Sequence, residues 1–88
     1  MLEEKNIVEH LNLKVVDQEG GEAFMKLGHF TPLGRLMKEY AERQGKDLAT
    51  HRFFYEGDRI KSHQTPSEIG IDDGDVIEVV SENVDGYN

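Results

Sequence analysis

The stretch HLNLKVVDQEGGEAFMKLGHFTPLGRLMKEYAERQG, residues 10–45, decides the fold, because two different periodicities follow one another within it. In residues 10–17, Leu11, Leu13 and Val15 alternate with Asn12 and Lys14, the two-residue period of a half-buried strand. Glu19, Gly20 and Gly21 then make a turn, glycine supplying the positive φ that tight hairpins need. Residues 22–27 return as a second, antiparallel strand. Beyond it the period changes. Thr31 offers a side-chain oxygen for an N-cap, Pro32 suits the first helical position, and Gly45 can take the left-handed conformation that ends a helix. Between these signals Leu33, Leu36, Met37 and Tyr40 fall at i, i+3, i+4 and i+7, one apolar stripe that must be covered. A sheet is the only partner available for it.

The remaining residues complete that sheet. RFFY (52–55) is a β-prone aromatic run, Glu56, Gly57 and Asp58 make a turn, and Arg59 and Ile60 begin a short return strand. Thr65, Pro66, Ser67 and Glu68 match a capping box with proline at the first helical position, which predicts one helical turn. Asp72, Asp73 and Gly74 turn the chain once more, and VIEVV (76–80) is apolar enough for a central strand. The order β, β, α, β, β, short helical turn, β predicts an α+β fold: a β-grasp with a mixed five-stranded sheet and one long helix across it. We read residues 1–9 as a flexible leading segment, 10–82 as the folded domain and 83–88 as a flexible tail.

Composition narrows the function. A chain of 88 residues with 36% hydrophobic residues supports one modest core and no large enclosed active site. Its 18 acidic against 10 basic side chains give a charge of −8, which attracts basic protein surfaces and repels phosphate-bearing nucleic acid. The lack of cysteine removes disulfides, thiolate nucleophiles and thiolate-bound zinc. Neither a secretory leader nor an apolar run near ~20 residues is present, so a soluble intracellular monomer that does not engage membranes is expected.

Other constellations are weak. His10, His29, His51 and His63 show no metal-binding spacing, and Asp72, Asp73, Gly74 and Asp75 lack the remaining ligands of a calcium loop. Ser62 and His63 adjoin in sequence, but no nucleophile elbow accompanies them. No cofactor and no enzymatic activity are expected.

Taken in order and without evident gaps, HLNLKVVDQ (10–18), YAERQG (40–45), RFFYEGDRI (52–60), Thr65-Pro66 and DGDVIE (73–78) resemble the small ubiquitin-like modifier (SUMO) family. The likeness runs through residues 9–82 and includes turns and exposed positions as well as core. It implies a modifier that is processed at its C-terminus, attached to target lysines by an isopeptide bond, and found in nucleus and cytoplasm. Its partners would be a SUMO-specific protease, an activating enzyme, a conjugating enzyme and proteins carrying SUMO-interacting motifs.

Three surfaces follow from the resemblance. The first is a groove beside the second strand, where family members pair an extended partner segment with the strand edge. By position it would use Ala23, Phe24, Met25, Lys26 and Leu27, with Arg35, Leu36 and Arg43 from the helix. Ala23 is smaller than the usual branched residue and Gly28 replaces a basic one, which implies a shallower pocket and altered motif choice. Equally, one alternating set of these side chains belongs to the core. The second surface is polar: Arg52, Glu56, Gly57, Asp58 and Asp75 toward the conjugating enzyme, with Asp72 and Asp73 toward the activating enzyme. Ordinary turn chemistry explains the same residues.

The third surface is the tail, where the pattern breaks. The family's mature form ends in two glycines, and the corresponding positions here are Asp85 and Gly86. Cleavage after Gly86 leaves a carboxylate for attachment, but Asp85 brings a charge into a channel built for glycine. The alternative is a SUMO-like module that binds partners through the same groove and is not conjugated. The acceptor-lysine motif common in the family's leading segment is not matched around Lys5, so chain building by that route is not predicted.

Overall fold

A computed structural model of the chain describes residues 10–82. The segments read as flexible, 1–9 and 83–88, lie outside the described residues, as do Asp85 and Gly86. The elements are β1 (His10–Val16), β2 (Glu22–Gly28), α1 (Leu33–Gln44), a 3-10 turn (Leu48–Thr50), β3 (His51–Tyr55), β4 (Asp58–Arg59), α2 (Pro66–Ile69) and β5 (Val76–Ser81). The sheet order is β2-β1-β5-β3-β4, with β1 and β5 parallel and the other neighbours antiparallel. This is the mixed five-stranded β-grasp expected. No described helix is long and apolar enough to cross a membrane.

Both periodicities reappear as burial. Leu11, Leu13 and Val15 of β1 and Ala23, Met25 and Leu27 of β2 are buried under α1, whose stripe of Leu33, Leu36, Met37 and Tyr40 is buried against them. Ile77 and Val79 of β5 complete the floor, and Tyr40 meets Phe53 edge-on with ring centroids 5.7 Å apart. The core therefore lies on one face of the sheet, and no described element covers the other face.

The α1 entrance differs from expectation. Pro32, not Thr31, occupies the N-cap, and no side chain caps the helix. Instead the Leu33 and Gly34 N–H groups donate to the carbonyls of Gln64 and Ser62, at 2.7 and 2.9 Å. Two of the orphan donors of a helix start are thus met by a loop distant in sequence, which leaves nothing for the Thr31 hydroxyl to satisfy. At the other end Gly45 is left-handed, as expected. The capping box is present in full: Thr65 Oγ1 accepts from the Glu68 N–H, and Glu68 Oε1 from the Thr65 N–H.

The β3–β4 hairpin is tighter than the reading of its turn. Asp58 already pairs with Tyr55, leaving Glu56 and Gly57 as a two-residue loop in which both φ values are positive, 51° and 87°. A primed turn of this kind matches the right-handed strand twist, and it holds Glu56 where side chains are seldom found. Ile60 lies just past β4 and is buried, and its N–H donates to the Phe53 carbonyl at 2.8 Å.

Candidate functional site: an open strand edge and an acidic turn cluster

Among the described residues β2 is paired only with β1, and no described strand lies along its second edge. The register tells which backbone groups lie there. Asp17 N–H donates to the Gly21 carbonyl, so the odd-numbered residues of this hairpin exchange hydrogen bonds with one another. The even-numbered residues of β2 must then face away from β1. Two contacts agree: the Phe24 carbonyl accepts from Arg43 Nη1 at 3.2 Å, and the Gly28 carbonyl from the Thr31 N–H at 3.2 Å. The edge away from β1 therefore carries the N–H and C=O groups of Glu22, Phe24 and Lys26, of which the Phe24 carbonyl is already taken by Arg43.

The groove residues named from sequence divide by the strand's two-residue period. Ala23, Met25 and Leu27, with Leu36 of α1, are core side chains and are buried. Phe24 and Lys26 are exposed on the open face, Phe24 by 67%. Arg35 and Arg43 are exposed on α1, and Arg43 Nη2 also reaches Glu39 Oε2 at 2.7 Å. Arg43 thus covers one edge carbonyl with a charged side chain, and charged groups at an edge strand disfavour indiscriminate pairing. Thr31 Oγ1 lies 2.9 Å from where a Cβ on Gly28 would sit, so a larger residue there would have to displace Thr31.

The polar set also divides. Glu56, Gly57 and Asp58 sit at the β3–β4 hairpin, and the turn carrying Asp72, Asp73 and Asp75 lies at the same end of the sheet. Tyr55 joins the two, donating to Asp75 Oδ2 at 2.6 Å. Asp75 Oδ2 also accepts from the Asp72 N–H at 2.9 Å, while Asp73 Oδ1 accepts from the backbone and side chain of Asn12, at 2.7 and 3.0 Å. Asp73 and Asp75 therefore fasten this turn to β1 and β3, and Asp72 is exposed. Arg52 lies apart from them, toward the far end of β3, paired with Glu82 at 2.5 Å and donating to the Ala49 carbonyl.

The Tyr55–Asp75 bond perturbs both groups. The Asp75 carboxylate as acceptor, then burial, then the negative charges of Asp75, Glu56 and Asp72 push the Tyr55 phenol up to about 12. The phenol, with the Asp72 N–H, holds Asp75 below its ordinary value. The two signs place the stabilisation between them. The Tyr55 contribution is complete below the unfolded tyrosine value of about 10 and is lost as pH rises toward 12; that of Asp75 is present above about 4 and is lost as pH falls. In an alkaline absorbance titration Tyr55 is expected to ionise near pH 12, burial also holding Tyr40 above its ordinary value, and Tyr55→Phe should lower the late-ionising amplitude by one tyrosine. A single step near pH 10 for every tyrosine would contradict the bond.

Sequence reasoning missed two features. A concavity of about 440 Å³ on the open face is bordered by Asn12, Lys14, Phe24, Lys26 and Gly74. A second, of about 500 Å³, gathers His51, Arg52, Arg59, Lys61 and His63 around Leu48 and Phe53. His51 and His63, which show no metal-binding spacing in the sequence, are brought to one concavity by β3 and the loop after β4.

The family model for ubiquitin-2-like Rad60 SUMO-like domains matches residues 11–80. The chain belongs to this SUMO-like family. It is 46% identical over 82 residues to the ubiquitin-like protein pmt3/smt3 of Schizosaccharomyces pombe, covering 93% of this chain and 70% of that protein. The solved structure of Caldiarchaeum subterraneum ubiquitin superposes with a TM-score of 0.79, covering 89% of this chain and all of that one, at 22% identity. That second likeness concerns the fold alone. Homology makes the chain a SUMO-like member of the ubiquitin-like modifiers, a class of protein tags rather than catalysts.

Proposed function

We propose that this SUMO-like protein is processed after Gly86, joined through that carboxylate to target lysines by an isopeptide bond, and then read by partner segments that add as a strand to β2. The observation that carries the reading is the outer edge of Glu22, Phe24 and Lys26, lying beside an exposed helical face with Arg35 and Arg43. Strand addition takes its affinity from such edge backbone groups, and Lys26, Arg35 and Arg43 suit the acidic residues flanking a partner motif. The cluster of Glu56, Asp58 and Asp72 supports an encounter surface for basic patches on the activating and conjugating enzymes. Processing protease, conjugation enzymes and motif-bearing readers are the partners this role requires, in nucleus and cytoplasm.

Asp85 favours a second reading, in which the same edge binds partners but the chain is not attached. Incubation with the processing protease, activating enzyme, conjugating enzyme and ATP separates the two: a thioester forms in the first case and not in the second.

The groove itself is tested by titrating an acidic-flanked, Val- and Ile-rich peptide into labelled protein. Amide shifts are expected to be largest at Phe24, Met25, Lys26, Leu27 and Arg43. Affinity should fall with salt, since exposed charges are screened over about 10 Å at 0.1 M, and Arg35→Ala should weaken binding by up to about fivefold. Shifts confined to other elements, with these residues silent, would remove the groove from the account.

A further inference from the structure

Along the outer edge of β2 the side chains read acidic, aromatic, basic: Glu22, Phe24 and Lys26, all exposed on the open face. That order is its own complement when reversed. We propose that this chain self-associates by antiparallel pairing of β2 with β2 of a second copy, about a twofold axis at Phe24. The edge residues are the even-numbered ones, so a register centred on Phe24 sets outward-facing residues against each other along the whole segment. Phe24 lies opposite Phe24 of the other copy, and Glu22 lies opposite its Lys26 on both sides of the axis. Each such pair exchanges both of its backbone hydrogen bonds, and two sheets become one.

Two alternatives lose to this arrangement, one on charge and one on backbone pairing. Parallel pairing in register would place Glu22 against Glu22 and Lys26 against Lys26, and like charges directly opposite are unfavourable. A shift by one residue would oppose outward groups to inward ones and leave the ladder unmade. In the centred antiparallel register, Ala23 and Met25 stay in their own cores. Phe24, 67% exposed, gains an aromatic neighbour across a hydrogen-bonded pair. Lys14, 3.5 Å from Glu22, approaches that carboxylate from β1 and leaves the edge side to the incoming Lys26. Arg43 must release the Phe24 carbonyl, but its bond to Glu39 persists on the same helix.

Opposing all of this is the charge of −8 on each copy, which makes the pairing reversible and concentration-dependent. The monomer expected from sequence is then the dilute state. The inference shares its edge with the proposed reader site but needs no peptide. Occupation by a second copy excludes occupation by a partner.

The test uses the full chain, by sedimentation velocity and amide spectra over a dilution series. Weight-average mass should rise with concentration, with shifts centred on Glu22, Phe24 and Lys26. Lys26→Glu, which places two like-charged pairs across the axis, should lower the association constant about tenfold, as should Glu22→Lys. The double exchange Glu22→Lys/Lys26→Glu should restore it to within about threefold. All three changes are at exposed positions and leave the fold intact. Absence of concentration dependence overturns the proposal, as do single variants that associate like the parent or a double exchange that fails to restore. Peptide binding without self-association removes the pairing and leaves the reader site; self-association without peptide binding does the reverse.

Discussion

Ile77→Ala is expected to cost about 2–5 kcal/mol of folding stability, the largest effect of any single truncation considered. Ile77 is fully buried in β5, the strand that β1 and β3 flank, and its side chain meets the floor on which α1 rests. Truncation loses the transfer free energy of the removed carbons and leaves a cavity that strands held on both sides cannot collapse to fill. A chain of this size has roughly 4–13 kcal/mol of stability in total, at about 0.05–0.15 per residue. The variant therefore loses a large share of it, and its midpoint of thermal unfolding should fall on the order of 10–20 °C. Ile77→Val, which removes one methylene, should cost about 0.5–1.5 kcal/mol. Urea unfolding of the three proteins measures this directly. A loss below about 1 kcal/mol for the alanine variant is incompatible with a central, doubly flanked β5.

The contrast between Ile77 and Phe24 shows what was legible in the sequence and what was not. Strand and helix periods mark the core because burial repeats with the backbone geometry, so Leu11, Leu13, Val15 and the α1 stripe could be read without a structure. The same period says that Phe24 and Met25 face opposite ways, but not which of them the helix covers until the helix is placed. Caps were legible where both partners are close in sequence, as at Thr65 and Glu68. They were not at α1, where Ser62 and Gln64 supply the acceptors. The links that shape the site are of this second kind: Arg43 to Phe24, Tyr55 to Asp75 and Asn12 to Asp73. Each depends on strand order, which local pattern does not encode. The resemblance named candidate surfaces but could not tell that Asp73 Oδ1 and Asp75 Oδ2 are bonded within the fold, whereas Asp72 makes no side-chain bond to the other described residues.

Asp85→Gly is expected to accelerate charging of the protein by its activating enzyme at least about thirtyfold. The resemblance implies a narrow channel that admits two glycines and leads the terminal carboxylate to an adenylating site. At position 85 this chain carries a carboxylate and a Cβ instead. Glycine has no side chain to desolvate and lets the channel backbone approach closely, whereas an unpartnered carboxylate taken from water costs on the order of several kcal/mol before relaxation. If only about 2 kcal/mol of this survives into the transition state for adenylation, the rate falls about thirtyfold. The substitution leaves the β2 edge untouched, so peptide affinity should be the same in both proteins, and that control separates a tail effect from a folding effect. Pre-processed chains ending at Gly86 remove the protease step from the comparison, and single-turnover thioester formation supplies the rate. Equal rates for the two chains would mean that the enzyme provides a cationic or hydrogen-bonding partner for Asp85. A parent that charges only after the substitution, with peptide binding intact throughout, identifies a module that is recognised but not attached.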